Sequence, residues 1–271
     1  MPAVALTIAG SDASGGAGLQ ADLKTFHQFG VYGEAAVSLI TVQNTQGVER
    51  VVPLEAELVA EQIRAVIEDI PPQAAKTGAL GSAEIIETVA EMARTFVFPL
   101  LVDPVMISKH GARLLAPEAE QALKARLLRH AFLVTPNIPE AEALTGIVIR
   151  SEDDMAAAAK RLLETGCRNV LIKGGHAAGE PNDLLLSSEA AHWFAGTRVA
   201  TRHTHGTGCT YSAAITANLA LGRSLQDAVQ EAKGFIQRAI ESAPGLGRGY
   251  GPVNHFAPPR QCDHRSACDT R

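Results

Sequence analysis

The sequence lacks any run of five or more lysines and arginines, and its formal net charge is -5. Nucleic acids and anionic membrane surfaces are usually bound by basic patches, so the lack of such a run argues against both as the main partner. No apolar stretch reaches the ~18 residues of a membrane span, and the first residues lack the basic segment of a secretory signal peptide. Together these absences favour small-molecule ligands and a cytoplasmic location.

Cysteines are few and widely scattered: Cys167, Cys209, Cys262 and Cys268. In a reducing compartment they are expected to be free thiols rather than a disulfide framework. His264 lies between the last two cysteines, which suggests a metal cluster. Zinc-ligand spacing disfavours that interpretation, because a fourth ligand is missing and the surrounding terminus is polar.

The sequence is instead rich in short apolar runs that contain β-branched residues and alternate with stretches of helical periodicity. Its 271 residues and 46% hydrophobic content suffice to bury the core of one large α/β domain. The alternation is typical of βα units and predicts a central, mostly parallel sheet covered by helices. The predicted strands are residues 3–10, 35–43, 73–80, 98–106, 131–137 and 169–175.

Helical spacing of apolar residues, with acids or serine at the start, predicts the covering helices. They are residues 54–70, 82–95, 116–130, 151–166, 206–222 and 224–243. Two short strands, 182–188 and 190–199, are expected to be antiparallel and to complete one edge of the sheet. After residue 243 the chain is rich in glycine, proline and charge, which predicts a poorly ordered tail.

The stretch GTGC (206–209) lies where a glycine-rich turn meets a predicted helix. Glycines let the backbone approach a ligand, and the first N–H groups of a helix lack partners at the positive end of its dipole. This combination is typical of a hole for a phosphate oxygen. An ordinary turn before a buried, alanine-rich helix is the alternative.

Cys209 falls in the first turn of this helix, where the dipole is expected to bring the pKa of its thiol below the ~8.5 of a free cysteine. Phosphoryl transfer has a loose transition state, so a group that accepts the proton of an alcohol late suffices. Cys209 is therefore a candidate proton acceptor, with a small buried hydrophobe as the alternative. We interpret His205 as a turn or packing residue.

The stretch GSDASGGAGLQADLKTF (10–26) follows the first strand and enters a helix, without matching the dinucleotide pattern G-x-G-x-x-G. Its small residues could close over a flat ligand through backbone amides. Asp22 would then accept a hydrogen bond from a ring amine or orient the loop. The alternative is a flexible surface turn with a carboxylate favoured by the helix dipole.

Polar side chains follow three later strands, at the edge where ligands of open α/β sheets bind. Asp103 and Glu140 are candidate supports for Mg²⁺, an ion that keeps several of its waters. Lys173 could meet nucleotide phosphates as a point charge. Helix caps and turns are the alternative for the acids, and a solvated strand end is the alternative for the lysine.

Seven segments resemble, in the same order, the hydroxymethylpyrimidine/phosphomethylpyrimidine kinase family of thiamine biosynthesis, within the ribokinase-like group. They are AGSDASGGAGLQADLKTF, TVQNTQGV, VDPVM, TPNIPEAEAL, IKGGH, HGTGCT and GPVNHF. The resemblance covers about residues 3–257, so it implies a ribokinase-like domain at 1–257, with helices on both faces of the sheet, and a tail at 258–271. It also implies a homodimer and ATP-dependent phosphorylation of 4-amino-5-hydroxymethyl-2-methylpyrimidine to the monophosphate and then the diphosphate.

The resemblance also implies roles for individual residues. Those that match the anion hole and its proton acceptor are Gly206, Thr207, Gly208 and Cys209. Those that match the pyrimidine pocket are Gly10, Ala17, Asp22, Gln43 and Val105, with the side-chain amide of Gln43 placed to bond the aminopyrimidine. The segments that serve ATP and Mg²⁺ contain Asn137, Glu140 and Lys173.

Two departures from the family pattern stand out. The chain reads KTGA where many members read K-I-G-M, so Ala79 replaces a methionine expected to pack against the ring, and His203 replaces a more usual asparagine. A pyridoxal or pyridoxine kinase is the second enzyme hypothesis, because its substrate is also a methylated heteroaromatic alcohol and Ala79 could admit a pyridine ring. A non-catalytic pyrimidine-binding regulator on the same fold is the third.

Overall fold

The computed structural model describes residues 1–107, 111, 115–176 and 179–259. The sequence cluster of Cys262, His264 and Cys268, and all but two residues of the tail predicted at 258–271, lie outside the described residues. The strands are β1 (Val4–Asp12), β2 (Tyr32–Asn44), β3 (Gly47–Pro53), β4 (Ala74–Thr77), β5 (Leu100–Val102), β6 (Leu133–Val134), β7 (Asn169–Ile172), β8 (Asp183–Ser187) and β9 (Ala191–Phe194). The α-helices are α1 (Gly18–Gln28), α2 (Ala56–Asp69), α3 (Ala83–Ala93), α4 (Pro117–Ala122), α5 (Ile138–Thr145), α6 (Glu152–Leu163), α7 (Thr207–Ala220) and α8 (Leu225–Glu241).

All of these strands form one sheet in the order β3-β2-β1-β4-β5-β6-β7-β8-β9. The six strands in the middle of this order run parallel, and the predicted antiparallel strands β8 and β9 complete one edge, as expected. The prediction of a mostly parallel sheet is confirmed. The strand β3 was not predicted: it forms an antiparallel hairpin with β2, and because most of its residues are exposed or half-buried it lacks the apolar run of a buried strand.

Helices cover both faces of the sheet, as the resemblance implies. One apolar core contains residues of α2 to α6, while α1, α7 and α8 contribute to the cores of the opposite face. Helix α7 is buried almost all round, and its small residues allow close packing between α1 and α8. The helix predicted over 116–130 is only partly correct, because α4 ends at Ala122 and the chain continues as a π-helical turn and a 3-10 turn.

The prediction of a poorly ordered tail after residue 243 is wrong for residues 244–257. Val253 and Ala257 are each 1% exposed, and Asn254 donates its N–H to the carbonyl of Ala239 over 2.8 Å. The composition correctly indicates that this segment lacks helices and strands, but backbone hydrogen bonds to other parts of the chain hold it in place. No helix of the described residues is long and apolar enough to cross a membrane.

Glu34 in β2 is a buried carboxyl outside the candidate site. Burial, with a smaller contribution from the charge of Asp69, raises its pKa from 4.5 to about 7. A raised carboxyl pKa means that the folded protein keeps the proton to higher pH than the unfolded chain. Its contribution to stability is therefore complete below pH 4.5 and is lost as the pH rises towards about 7.

We expect Glu34→Gln to stabilise the protein by about 1–2 kcal/mol at pH 8 and to have almost no effect near pH 4. Denaturant unfolding at the two pH values measures the difference. The control is Glu49→Gln, which changes an exposed carboxyl of β3. Equal effects of Glu34→Gln at the two pH values would show that Glu34 does not titrate in the way described.

Candidate active site

The predicted site residues lie at one edge of the sheet, where the parallel strands have their carboxyl ends. Asp12 ends β1 and Asp103 directly follows β5, while Asn137 and Lys173, after β6 and β7, form a parallel bridge with each other. Helix α7 packs over this edge, since Ser212 donates its hydroxyl to Asp103 over 3.1 Å. The sheet topology thus brings the strand-end acids next to the helix of the GTGC segment, as expected for an α/β fold.

The start of α7 has the geometry of an anion hole. Gly206 precedes the helix in the left-handed region (φ 77°), and no side chain caps the helix. A Cβ on Gly206 would overlap the carbonyl of Gly16, so only glycine fits there. Among the described residues no acceptor pairs with the N–H of Gly208 or of Cys209, while both the N–H and the hydroxyl of Thr207 donate to the carbonyl of Thr204. The N–H groups of Gly208 and Cys209 are therefore open donors in the first turn of α7.

Cys209 is half-buried, and its thiol has a high pKa. Burial raises the pKa to about 12; the charge of Lys76 opposes this, Asp22 and Asp103 raise it further, and the Gly18 N–H lowers it. The prediction that the helix dipole brings this pKa below ~8.5 is therefore wrong. Removal of the thiolate from water, beside two carboxylates, outweighs the dipole.

Asp22 and Lys76 form a wholly buried ion pair beneath the site, with Nζ and Oδ2 2.7 Å apart. The same carboxylate oxygen accepts the hydroxyl of Thr7 over 2.6 Å. Oδ1 of Asp22 is buried and has no partner among the described residues, which leaves an acceptor for a ligand. Burial raises the pKa of Asp22, although Lys76 opposes this, and Lys76 itself has a raised pKa because Asp22 and Cys209 outweigh its burial.

Sequence reasoning missed Lys76. The only available signal was a lysine inside a strand whose four residues are all buried, because a charged residue is rarely fully buried unless it is paired. Its partner Asp22 lies 54 positions away in the chain, so the sequence could not show the pairing.

Asp103 and Lys173 form a second ion pair, 2.8 Å from Nζ to Oδ1. The hydroxyl of Thr135 donates to the same oxygen over 3.1 Å. A Cβ placed on Gly208 would lie 3.5 Å from Nζ of Lys173, so the ammonium group lies close to the open N–H groups of α7. Lys173 is thus held beside the hole by a carboxylate, and the solvated strand end considered as its alternative is not what the structure has.

Asn137 and Glu140 cap helix α5 reciprocally. The N–H of Glu140 donates to Oδ1 of Asn137 over 2.9 Å, and the N–H of Asn137 donates to Oε2 of Glu140 over 2.8 Å. The helix-cap alternative is therefore confirmed for Glu140, and Asn137 is its partner in the cap. Burial raises the pKa of Glu140 to about 7 against the opposing charge of Lys173.

The remaining residues predicted to form the pyrimidine pocket lie in β1, in β2 and in the loops after β1 and β5. Gly10 lies in β1, and the loop that follows β1 is fixed by Asp12, whose Oδ2 accepts the N–H of Ala17 over 2.8 Å. Gln43 is half-buried where the register between β2 and β3 shifts, and no described residue bonds its side-chain amide. Val105 is half-buried two residues after Asp103. The amide of Gln43 and the exposed part of Val105 are therefore available for contact with a flat ligand.

The structure also contains a pairing that sequence reasoning did not foresee. Nε2 of His205, the residue before the hole, lies 2.8 Å from Oδ2 of Asp12. His203, which the sequence left without a role, packs against the backbone of Gly251 in the C-terminal segment. Both contacts join segments that are far apart in the chain.

The fold and this site define an α/β kinase-like protein, and comparisons with known proteins agree. A crystal structure of an ADP complex of Bacillus subtilis pyridoxal kinase matches with a TM-score of 0.88 and 38% identity, over 95% of this chain and 98% of that one. A crystal structure of phosphomethylpyrimidine kinase from Clostridium difficile 630 matches with a TM-score of 0.79 and 46% identity, over 88% and 99%.

The sequence comparisons are more specific. Residues 12–254 match the family model described as phosphomethylpyrimidine kinase. The hydroxymethylpyrimidine/phosphomethylpyrimidine kinase of Bacillus subtilis (strain 168) is 47% identical over 256 residues, which cover 93% of this chain and 94% of the relative. The chain therefore belongs to the phosphomethylpyrimidine kinase family.

Proposed function

We propose that this protein uses ATP to phosphorylate 4-amino-5-hydroxymethyl-2-methylpyrimidine, and then the resulting monophosphate, in thiamine biosynthesis. The observation that carries the proposal is the pair of open N–H groups of Gly208 and Cys209 beside the ammonium group of Lys173. Donors arranged in this way stabilise the negative charge of a phosphoryl group in transfer. The names of the relatives supply the substrate class.

The side chains around the hole can recognise the pyrimidine. The unpartnered Oδ1 of Asp22 can accept a hydrogen bond from the amino group, and the amide of Gln43 can both donate and accept at adjacent ring positions. Both side chains would hold the hydroxymethyl group towards the start of α7. The thiolate form of Cys209 then accepts the proton of the hydroxyl group, while the hydroxyl oxygen bonds to the γ-phosphorus of ATP and the bond from that phosphorus to ADP breaks.

We further propose that Asp103 and Glu140 support Mg²⁺, which when bound neutralises charge on the phosphates of ATP. The donor set fits this ion, because Mg²⁺ keeps several waters and needs only one or two carboxylates in addition to substrate phosphates. Both carboxyls are buried and already accept hydrogen bonds from the protein, so they would hold the ion largely through its waters. Asn137 and Lys173 would contact the nucleotide.

Mass spectrometry of the products formed from ATP, Mg²⁺ and the hydroxymethylpyrimidine tests the proposed function. We expect the monophosphate first and the diphosphate after longer incubation. The two products differ in mass by one phosphoryl group, so both steps are observed in one experiment. Absence of both products under conditions in which the folded protein binds ATP would contradict the proposal.

A pyridoxal or pyridoxine kinase remains the second candidate, and Ala79 is the observation that favours it. Ala79 is half-buried, and its small side chain can leave space for a different ring. We expect the pyrimidine alcohol to have the higher kcat/KM, because Gln43 suits an aminopyrimidine. The ratio of kcat/KM for the two alcohols distinguishes the two candidate functions, because substrate preference is a difference in transition-state binding.

We also propose that the protein is a cytoplasmic homodimer. The outer face of the β2–β3 hairpin supports the homodimer, because Ile40 and Val42 are each 48% exposed there and Val52 is the cross-strand partner of Ile40. Burial of these side chains against a second copy would remove apolar surface from water. Light scattering on the purified protein measures the oligomeric state.

A further inference from the structure

Asp12 binds two separate parts of the site with one carboxylate. Its Oδ1 accepts the N–H and the hydroxyl of Ser14 over 2.8 and 2.7 Å. Its Oδ2 accepts the N–H groups of Gly16 and Ala17 over 3.1 and 2.8 Å, and it lies 2.8 Å from Nε2 of His205. The carboxylate therefore fixes the loop before α1 and, at the same time, the residue before the anion hole.

The ionisation of Asp12 identifies which residue donates the hydrogen bond between Asp12 and His205. Burial alone would raise the pKa of Asp12, but the hydrogen bonds from His205 and Ser14 outweigh it and hold the pKa well below the ordinary value. An ionised carboxylate has no hydrogen to donate, so Nε2 of His205 carries the proton and donates. The pair is almost completely buried, with 6% of the His205 side chain and 2% of the Asp12 side chain exposed.

The backbone of His205 is fixed as well. Its N–H donates to the carbonyl of Gly251 over 3.0 Å, and its carbonyl accepts the N–H of Val253 over 3.3 Å. The next residue is Gly206, which packs against the carbonyl of Gly16. The ring of His205, its backbone and the following residue Gly206 are thus all fixed by contacts with other segments. The chain therefore has little conformational freedom between His205 and the open N–H groups of α7.

We propose that His205 is a positioning residue for phosphoryl transfer, because its bond to Asp12 keeps the anion hole in register with the loop beside the bound alcohol. This inference rests on the proposed function. Small errors in the placement of reacting groups cost large factors in rate. A packing role alone would require the shape of the ring but not its N–H.

Two substitutions separate these roles. His205→Met fills a similar volume without a donor, while His205→Gln keeps an N–H group that can reach Asp12. We expect His205→Met to lower kcat by about 30- to 100-fold with the Kd values of both substrates within about threefold of wild type. Asp12 still accepts the other four hydrogen bonds, so the loop stays folded. The kcat of His205→Gln should be at least about tenfold higher than that of His205→Met.

The matched control is His27→Met, the same substitution at an exposed position of α1. It should keep kcat within about twofold of wild type. Equal loss in His205→Met and His205→Gln would overturn the proposal, as would a wild-type kcat in His205→Met. Unfolding temperatures of all three variants show whether each is folded.

The assay uses whichever alcohol the wild-type protein phosphorylates, the pyrimidine or pyridoxal. If the wild type converts neither alcohol, the proposed function fails, and the measurement on His205 moves to the apo protein. There, hydrogen exchange at the N–H groups of Thr210 and Val253, which donate to the carbonyls of Gly206 and His205, should be faster in His205→Met than in His205→Gln. Identical exchange in the two variants would overturn the positioning role independently of the substrate.

Discussion

Cys209→Ala is expected to lower kcat for the pyrimidine alcohol by about 10²-fold or more, while the Kd of the alcohol stays within about threefold of wild type. Proton transfer by a positioned side chain typically contributes 10²–10⁴-fold. The substitution removes only the sulfur, so the N–H groups at the start of α7 and the ion pairs beneath remain. Steady-state kinetics and equilibrium binding of the alcohol together measure the two quantities.

The pH dependence gives a second readout for Cys209. With a thiol pKa of about 12, the thiolate is a small fraction of the protein at neutral pH and increases as the pH rises. We therefore expect kcat/KM of the wild type to rise with pH up to at least pH 9 and the residual activity of Cys209→Ala to lack this rise.

The matched control is Cys167→Ala. Cys167 is the other free cysteine of the described residues and is buried in the core on the α2–α6 side of the sheet. Its loss should reduce stability through a small cavity but leave kcat unchanged. A Cys209→Ala protein with wild-type kcat would exclude the thiol as the proton acceptor.

Lys76→Met is expected to have the largest effect on stability, a loss of about 3–5 kcal/mol in the free energy of unfolding. The substitution leaves the carboxylate of Asp22 fully buried, with only the hydroxyl of Thr7 as a partner. Burial has removed the hydration of this charge, and without Lys76 no ion pair offsets the cost. Urea unfolding of the variant and the wild type measures the loss.

A double variant distinguishes loss of charge balance from loss of packing. Lys76→Met combined with Asp22→Asn removes both charges and should recover at least half of the stability lost in Lys76→Met alone. Neither variant should recover activity, because the ammonium group near Cys209 is absent from both. Lys160→Met, at an exposed position of α6, is the control. A loss of less than about 1 kcal/mol in Lys76→Met would contradict the energetic role given to the pair.

Apolar patterning was sufficient to predict most of the sheet. The runs that became β1 and β7 are almost fully buried, so they are mainly apolar and visible in the sequence. The exposed strand β3 has no such pattern and depends on its pairing with β2. The packing of Val253 likewise depends on His205, 48 positions earlier, which no local composition reveals.

The positions of the strand-end residues could be predicted, but their electrostatics could not. Asp103 and Lys173 follow predicted strands, so the parallel topology alone placed them at one edge. The pKa of Cys209 could not be predicted, because it depends on burial and on Lys76, Asp22 and Asp103, which only the tertiary structure brings together. The helix dipole, which the sequence did indicate, is the smaller effect.

The proposed phosphoryl transfer depends most directly on the N–H groups of Gly208 and Cys209, which should hold the phosphoryl group during its transfer. Their amide NMR signals, recorded in ¹⁵N-labelled protein with Mg²⁺, ADP, aluminium fluoride and the pyrimidine alcohol, test this. The complex mimics the transfer step, and donors to a developing anion form short hydrogen bonds to it. We predict large downfield shifts of both amide protons when all components are present. Unchanged signals of both residues in a complex that has formed would contradict the account.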